Sequence, residues 1–557
     1  MKRKYRFSLW PFLLSGLLLL GACQTEESAG ESATNSTTES TDSTDSTGTA
    51  SSSTTSTATI STSDLFSDRD LDPSYDESEA VSIQFDGDTV TCSSSAVTIS
   101  DGTVTITAEG VYRLSGTWEE GQVLIDAGES DKVQLVLDTV SITSATSAAI
   151  YAKEADKVFI TLADGSENTL INGGEYVAID DNNIDAVIFA KTDLTLNGSG
   201  QLTVEANAGH GIVSKDDLTI TGGTYQIDAA SHGITGKDSL SVADGTFQIT
   251  SGKDGLRAEN TDDTSLGSIY LAGGTYQIES QGDAISASGA LQIDGGTFTL
   301  TTGGGSASVT MDSGDTMGFG QRPGSTSDST TEEETDSVSQ KGVKADGTIT
   351  INGGDFTTDT ADDSIHAGGA IQIAAGTFAL QSGDDAIHSD DAVAITDGTF
   401  TIPYCYEGIE GLSITIDGGS FDITSQDDGL NAAGGADSSG FGGGFAPDSF
   451  ASSDSCIVIN GGTLTVTSTG DCIDSNGDLT LNGGTLTLTC NGNGNTALDC
   501  DGTYTNNGGD ITTNDGSESN PGAMTGGGKG AGQGGGGMAG GTPPSGNPGG
   551  NQEMPSI

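Results

Sequence analysis

Positive charge is scarce in this chain: 18 Lys and Arg stand against 80 Asp and Glu, a formal net charge of -62 over 557 residues. Such a surface repels phosphate backbones, which excludes direct nucleic-acid binding. It repels an acidic polysaccharide equally, unless a cation mediates. Aromatic residues are few, at 5%, and 85 Gly complete a composition unusual for compact globular domains. Helical periodicity is absent beyond the first twenty-odd residues. Long apolar runs are absent as well, and the one short run, Trp10 to Leu20, is too short to span a bilayer comfortably.

That run reads as the apolar part of an export signal, preceded by the basic residues Lys2, Arg3, Lys4 and Arg6. It ends in Leu20-Gly21-Ala22-Cys23, which resembles a bacterial lipobox. The resemblance implies cleavage before Cys23 and lipidation of its thiol. The expectation is a lipoprotein signal peptide over 1–23 and an exported protein, lipid-anchored at the extracellular face of the cell membrane. Residues 24–78 are Ser, Thr, Asp and Glu with little to bury, and are expected to form a disordered tether. Residues 516–557 are rich in Gly and Pro and are expected to be a disordered tail. The working part is then 79–515.

What is present there is a beat. "TADDSIHAGG" from Thr360 returns as "SGDDAIHSDD" from Ser382, 22 residues later. "LTITGGTYQIDAA" from Leu218 and "IQIAAGTFALQSG" from Ile371 show the larger unit: two alternating runs around a Gly corner, then a polar corner and a small-apolar pair. The aromatic after the corner falls at Tyr225, Phe247, Tyr276, Phe298, Phe356, Phe378, Phe400 and Phe421, mostly 22 or 21 apart, with gaps of 29 and 58 read as the same step plus loops. Short alternating runs without helical periodicity predict an all-β fold, a single-stranded parallel β-helix of about 22 residues per coil. One coil cannot bury its own inner face, so stacking supplies the core. The aromatics share the parity of Leu and Ile and are expected inside. Val81 to about Leu170, less regular, reads as the atypical capping coils.

Two columns of the repeat carry chemistry. Two places before the apolar residue of each small-apolar pair stand His210, His232, Asp254, Asp283, Lys341, Asp363, Asp385, Glu407, Asp428 and Asp471. One place after it stand Arg257, Lys344, His366, His388, Glu410, Asn431 and Asp474. Asp362, Asp384 and Asp427 double the acid on three coils. Carboxylates stacked at ~4.8 Å repel by roughly 3.5 kcal/mol per pair at an effective dielectric of 20, so a partly buried column needs protons or a cation. Oxygen ligands suit Ca²⁺, and the candidates are Asp362, Asp363, Asp384, Asp385, Glu407, Asp427 and Asp428. A solvated acidic corner without an ion is the alternative. His366 and His388 are not natural Ca²⁺ ligands, so they lie outside that shell or become candidate substrate contacts.

The units "IFAKTDLTLNGSGQLTVEA" from Ile188, "GIVSKDDLTITGGTY" from Gly211 and "GITGKDSLSVADGTFQITSGKDGLRA" from Gly233 carry a resemblance. With their repeated K-D-D-L and D-G-I signatures they look like the carbohydrate-binding domain-containing family of exported parallel β-helix proteins. The resemblance covers about Val81 to Leu488. It implies binding of cellulose and pectic polygalacturonate without cleavage, and calcium ions in the helix. The functional expectation is a non-catalytic, monomeric cell-surface protein binding plant-cell-wall polysaccharide, with calcium assistance.

Two rivals stand beside it. Pectinases share the architecture, and polygalacturonases use N-T-D, D-D, G-H-G and R-I-K in that order. Here Gly209-His210-Gly211 precedes Asn260-Thr261-Asp262, and R-I-K does not occur. A pectate lyase needs Ca²⁺ with a nearby Arg or Lys base, and Lys341 and Lys344 lie one coil from Asp362 and Asp363. The other rival, a structural adhesin or spacer, needs no site. Phe441, Phe445 and Phe450, among glycines in a long loop, are candidate sugar-stacking groups. The remaining basic residues look too scattered to receive a polyanion. Cys456, Cys472, Cys490 and Cys500 fall in the last coils, either as disulfides or as small buried residues.

Overall fold

Six-residue runs of alternating character, each closed by glycine, leave one consistent arrangement: every second side chain inward, and the next coil stacked on the same register. The protein is described by a computed structural model that covers residues 60–177, 182–309, 339–433, 455–519 and 521. Thr246–Ser251 alternates exposed and buried, as do Thr224–Ala229 and Thr275–Ser280. Each pairs in parallel with its equivalent one coil on: Tyr225 with Phe247, Phe247 with Tyr276, Phe356 with Phe378. The gaps of 29 and 58 residues preserve register too, as Phe298 pairs with Phe356.

Three ladders result; through the regular coils each strand is bonded to the third one along the chain, and where longer strands such as Ile387–Ile395 run through a corner the step is two. One holds the six-residue runs. A second holds the three-residue strands such as Leu256–Ala258, Ile285–Ala287, Val343–Ala345 and Ile365–Ala367. The third holds Ser239–Val242, Ser268–Leu271, Leu291–Ile293 and Ile349–Ile351. This is the parallel β-helix that the spacing predicts.

The aromatic column lies inside it. Tyr225 through Phe421 form one stack of eight rings with centroids 4.6 to 5.2 Å apart and planes within 9° of parallel. None is more than 2% exposed. Strand spacing imposes the separation, and the Gly corner makes room for the ring. Gly376 has φ of +140°, and a Cβ there would sit 2.8 Å from Cε2 of Phe378. Cys405, Cys472 and Cys490 are buried free thiols.

The opening coils are atypical, as the sequence predicts: Val81–Gly87 pairs antiparallel with Thr89–Thr91, and Val97–Ser100 with Thr103–Ile106, so local hairpins cap that end. One expectation needs correction: the tether does not extend to residue 78. A short helix at Asp68–Leu71 lies against the third ladder, with Asp70 only 2% exposed. Its carboxylate accepts a hydrogen bond from Thr195 Oγ1 at 2.6 Å and pairs with Lys157 at 2.8 Å. Its carbonyl accepts from Asn197 Nδ2 and Thr221 Oγ1. Composition hid this because the contacts are polar ones to distant coils, while Phe66 meets Tyr270, 6.0 Å between centroids, much farther along the rod.

Candidate metal and polysaccharide site

At the corner before each three-residue strand the backbone turns, and its N–H groups leave the ladder. A buried N–H needs an acceptor, or it costs roughly 1–3 kcal/mol. The side chain one coil earlier supplies it. Asp363 Oδ1 accepts from Asp385 N, and Asp385 Oδ1 from Glu407 N, each at 3.0 Å. Asp254 accepts from Asp283 N at 3.0 Å, Asp283 from Lys341 N at 2.8 Å, and Asp428 from Asp471 N at 2.6 Å. His210 and His232 do the same through Nδ1, receiving His232 N and Asp254 N at 3.2 Å. The first column is therefore largely a ladder of acceptors, which explains why both His and Asp occupy it. Lys341 cannot accept. On that coil Asp362 Oδ1 accepts from Asp363 N instead, at 3.0 Å, giving the doubled acid a role.

One oxygen of each of these aspartates is thus committed, and the surroundings of the other change along the rod, from Arg257 at Asp254 and Lys341 at Asp363 to neighbouring carboxylates beyond. Asp363 and Asp385 are fully buried and Glu407 is 6% exposed. Burial alone would raise Asp363, but Lys341 Nζ, 2.7 Å from both Asp362 and Asp363, and His366 Nδ1 at 2.8 Å hold it well below the usual range. Further along, cations run out. Asp385 is pushed up by burial and then by Asp384, Glu407 by burial and Glu410, and Asp428 by burial and Asp427. Burial would lower His388, yet Asp385, Asp390 and Glu410 hold it above its ordinary value.

The second column runs parallel to the first and changes character along the rod. Tyr151, Phe189 and Val213 form an outer apolar patch with Ile184. Thr235, Arg257, Ser286 and Lys344 follow, then His366 and His388, stacked at 4.9 Å, then Glu410, Asn431, Asp474 and Asp499. The bases are less scattered than the sequence implied. Lys253 and Arg257 line an open groove of about 500 Å³ with His232, Asp254, Gln281 and Gln340. Arg257 pairs with Asp254 and Glu259.

The expected ligands do share one corner of consecutive coils, and oxygens of Asp362, Asp363 and Asp384 lie within 4.8 Å of one another. His388 does not fit a sugar contact: it is fully buried, and His366 keeps only 13% of its side chain exposed. Cys23, Phe441, Phe445 and Phe450 lie outside the described residues. Asn260 of the N-T-D triplet is buried and shapes a turn, accepting from Asp262 N and Asp263 N. Two clusters of possible ligands were not assembled from the sequence, although Asp471 and Asp474 stand in its two columns. Asp471, Asp474 and Asp499 converge near Asp428, and Asp193, Asp216 and Asp217 converge on another corner. There burial, followed by Asp216 and Asp217, pushes Asp193 up to about 6. The K-D-D-L signature held the second group in plain view, but only the coil stacking brings Asp193 to it.

These features define a parallel β-helix with a carboxylate-rich corner beside an open groove. The family of carbohydrate-binding domain-containing proteins matches residues 100–386 and 384–531, and the chain belongs to that family. A relative from Acetivibrio thermocellus, named a carbohydrate-binding domain-containing protein, is 44% identical over 150 residues, 26% of this chain and 52% of its own length. The chain therefore spans about half the length of that curated relative. A solved structure titled as the polysaccharide lyase-like protein from C. thermocellum, gadolinium derivative, is 39% identical, covering 40% of this chain and 92% of that one at a TM-score of 0.40.

Proposed function

We propose that this chain is a non-catalytic polysaccharide-binding protein, exported and held at the cell surface by a lipid on Cys23. In this reading it grips plant-cell-wall glycans, pectate and cellulose, with calcium assisting. The observation that carries it is the all-oxygen corner around Asp428, whose buried carboxyl faces Asp427, Asp474 and Asp471 in a member of a carbohydrate-binding family. Ca²⁺ takes 6–8 oxygens and would relieve that crowding, and an open coordination position would accept a uronate carboxylate. At Asp362 and Asp363 the Lys341 ammonium already supplies positive charge, so the calcium reading rests on Asp427 and Asp428 with Asp471, Asp474 and Asp499.

A lyase reading needs a free base, but Lys341 is held by two aspartates and Lys344 lies 3.4 Å from Asp346; Lys253, exposed at the groove, is a further candidate for it. Retention on cellulose, pectate and an unrelated neutral glycan, with and without chelator, tests these readings together. The expected result is loss of pectate retention in chelator, survival of cellulose retention, and no unsaturated sugar released. Unsaturated products would establish a lyase, and retention on no glycan would leave a spacer. Pectate retention that ignores both chelator and neutralisation of Asp428 and Asp471 to Asn would remove calcium from the account.

A further inference from the structure

A second cluster of possible metal ligands lies two coils from the all-oxygen corner, and its donor set differs. His388 is fully buried, and its Nδ1 faces two carboxylate oxygens at once: Asp385 Oδ2 at 3.0 Å and Glu410 Oε2 at 2.8 Å. A ring nitrogen carries one proton and can satisfy one of them. The hydrogen bond goes to Asp385, and Glu410 Oε2 stays buried with no hydrogen-bond partner. The other ring nitrogen, Nε2, is also buried without a hydrogen bond and points toward Asp390 Oδ1, 3.4 Å away.

A divalent metal in place of the Nδ1 proton resolves every one of these mismatches. It would take Nδ1, Asp385 Oδ2 and Glu410 Oε2 as three ligands, and these atoms already lie within 4.8 Å of one another. Nε2–H would then donate to Asp390, the carboxylate partner that orients a metal-bound imidazole. With bonds of about 2.1 Å, tetrahedral donors stand about 3.4 Å apart, so Nδ1 needs to part from the two oxygens, now 3.0 and 2.8 Å away, by about half an ångström. Calcium fits poorly: it needs more donors, all oxygen, at longer distances. Imidazole with two carboxylates suits zinc and its first-row neighbours.

We propose that Asp385, His388 and Glu410 form a binding site for a zinc-class divalent metal, separate from any calcium on the oxygen-only corner. The site ties two successive coils through one ion, Asp385 and His388 on one and Glu410 on the next, and leaves a fourth position beside Glu410, which keeps 14% of its side chain exposed.

The test uses the full-length chain, stripped with chelator and titrated with Zn²⁺ in a large excess of Ca²⁺, without any glycan. One equivalent of tightly held Zn²⁺ is expected, with Co²⁺ in its place giving visible absorption bands of a nitrogen–oxygen site. Glu410→Gln, isosteric and at the rod surface, should weaken Zn²⁺ at least tenfold, and Asp390→Asn by about tenfold or more through loss of the orienting carboxylate. His388→Gln should abolish it, with circular dichroism checking that the variant folds. Three results would each overturn the site: no stoichiometric Zn²⁺, displacement by Ca²⁺ mole for mole, or wild-type affinity in Glu410→Gln. Since no polysaccharide enters the assay, its failure leaves the glycan-binding reading untouched.

Discussion

His210 accepts the amide hydrogen of His232 at Nδ1, and only a neutral ring can do so. Burial, followed by electrostatic interaction with neighbouring His232 and Lys215, pushes its pKa down to about 3. The folded value lies below the unfolded one, so this residue's contribution is complete above about pH 6.5 and is lost as pH falls toward the folded value. At pH 5 the cost is roughly 1–2 kcal/mol. Since many carboxylates titrate in the same range, the useful quantity is a difference. His210→Asn, whose side-chain carbonyl needs no deprotonation to accept, should lose less stability between pH 7 and pH 5 than the wild type in urea denaturation. Equal losses would mean that the ring is not the acceptor. The residue types in this column were legible in the sequence, but their common role was not. An Asp and a His look like metal ligands until the amide of the next coil is seen against them.

At the scale of the strand, the inward aromatic is the unit of cohesion. Phe378 touches rings on both sides, with centroids 5.0 Å from Phe356 and 4.6 Å from Phe400. Phe378→Ala should cost about 3–5 kcal/mol, because neighbours held at strand spacing cannot collapse into the cavity. Chemical denaturation measures this directly, and a cost below ~1 kcal/mol would contradict a rigid stack. This element could be read from period and parity alone. Alternation of two places Tyr225 with Ile227, and the 22-residue step places it on Phe247. The segment around Asp70 could not be read that way, since nothing periodic links it to Thr195 or Lys157.

For the whole molecule, charge opposes compactness. With a formal net charge of -62, every coil is pressed outward by its neighbours' field. Added salt screens that repulsion, so the melting temperature should rise from low to high NaCl, measured with chelator present to remove divalent ions. A flat or falling trend would show that the acids are locally neutralised, by protons on groups such as Asp385 and Glu407 or by the Lys341 pairings. Each coil meets only its neighbours, so such effects sum along the rod without a central core to average them.

The sequence by itself determined the solenoid, its step, its aromatic interior and the corner where acids and histidines recur. Repetition encodes these, because a residue's place in one coil dictates its place in all of them. Tertiary structure decided what each corner residue does. Stacking sets which carboxylate faces an amide, which faces Lys341, and which meets His388 across the next coil. Those relations depend on distances between coils of different composition, and period and parity carry no information about them.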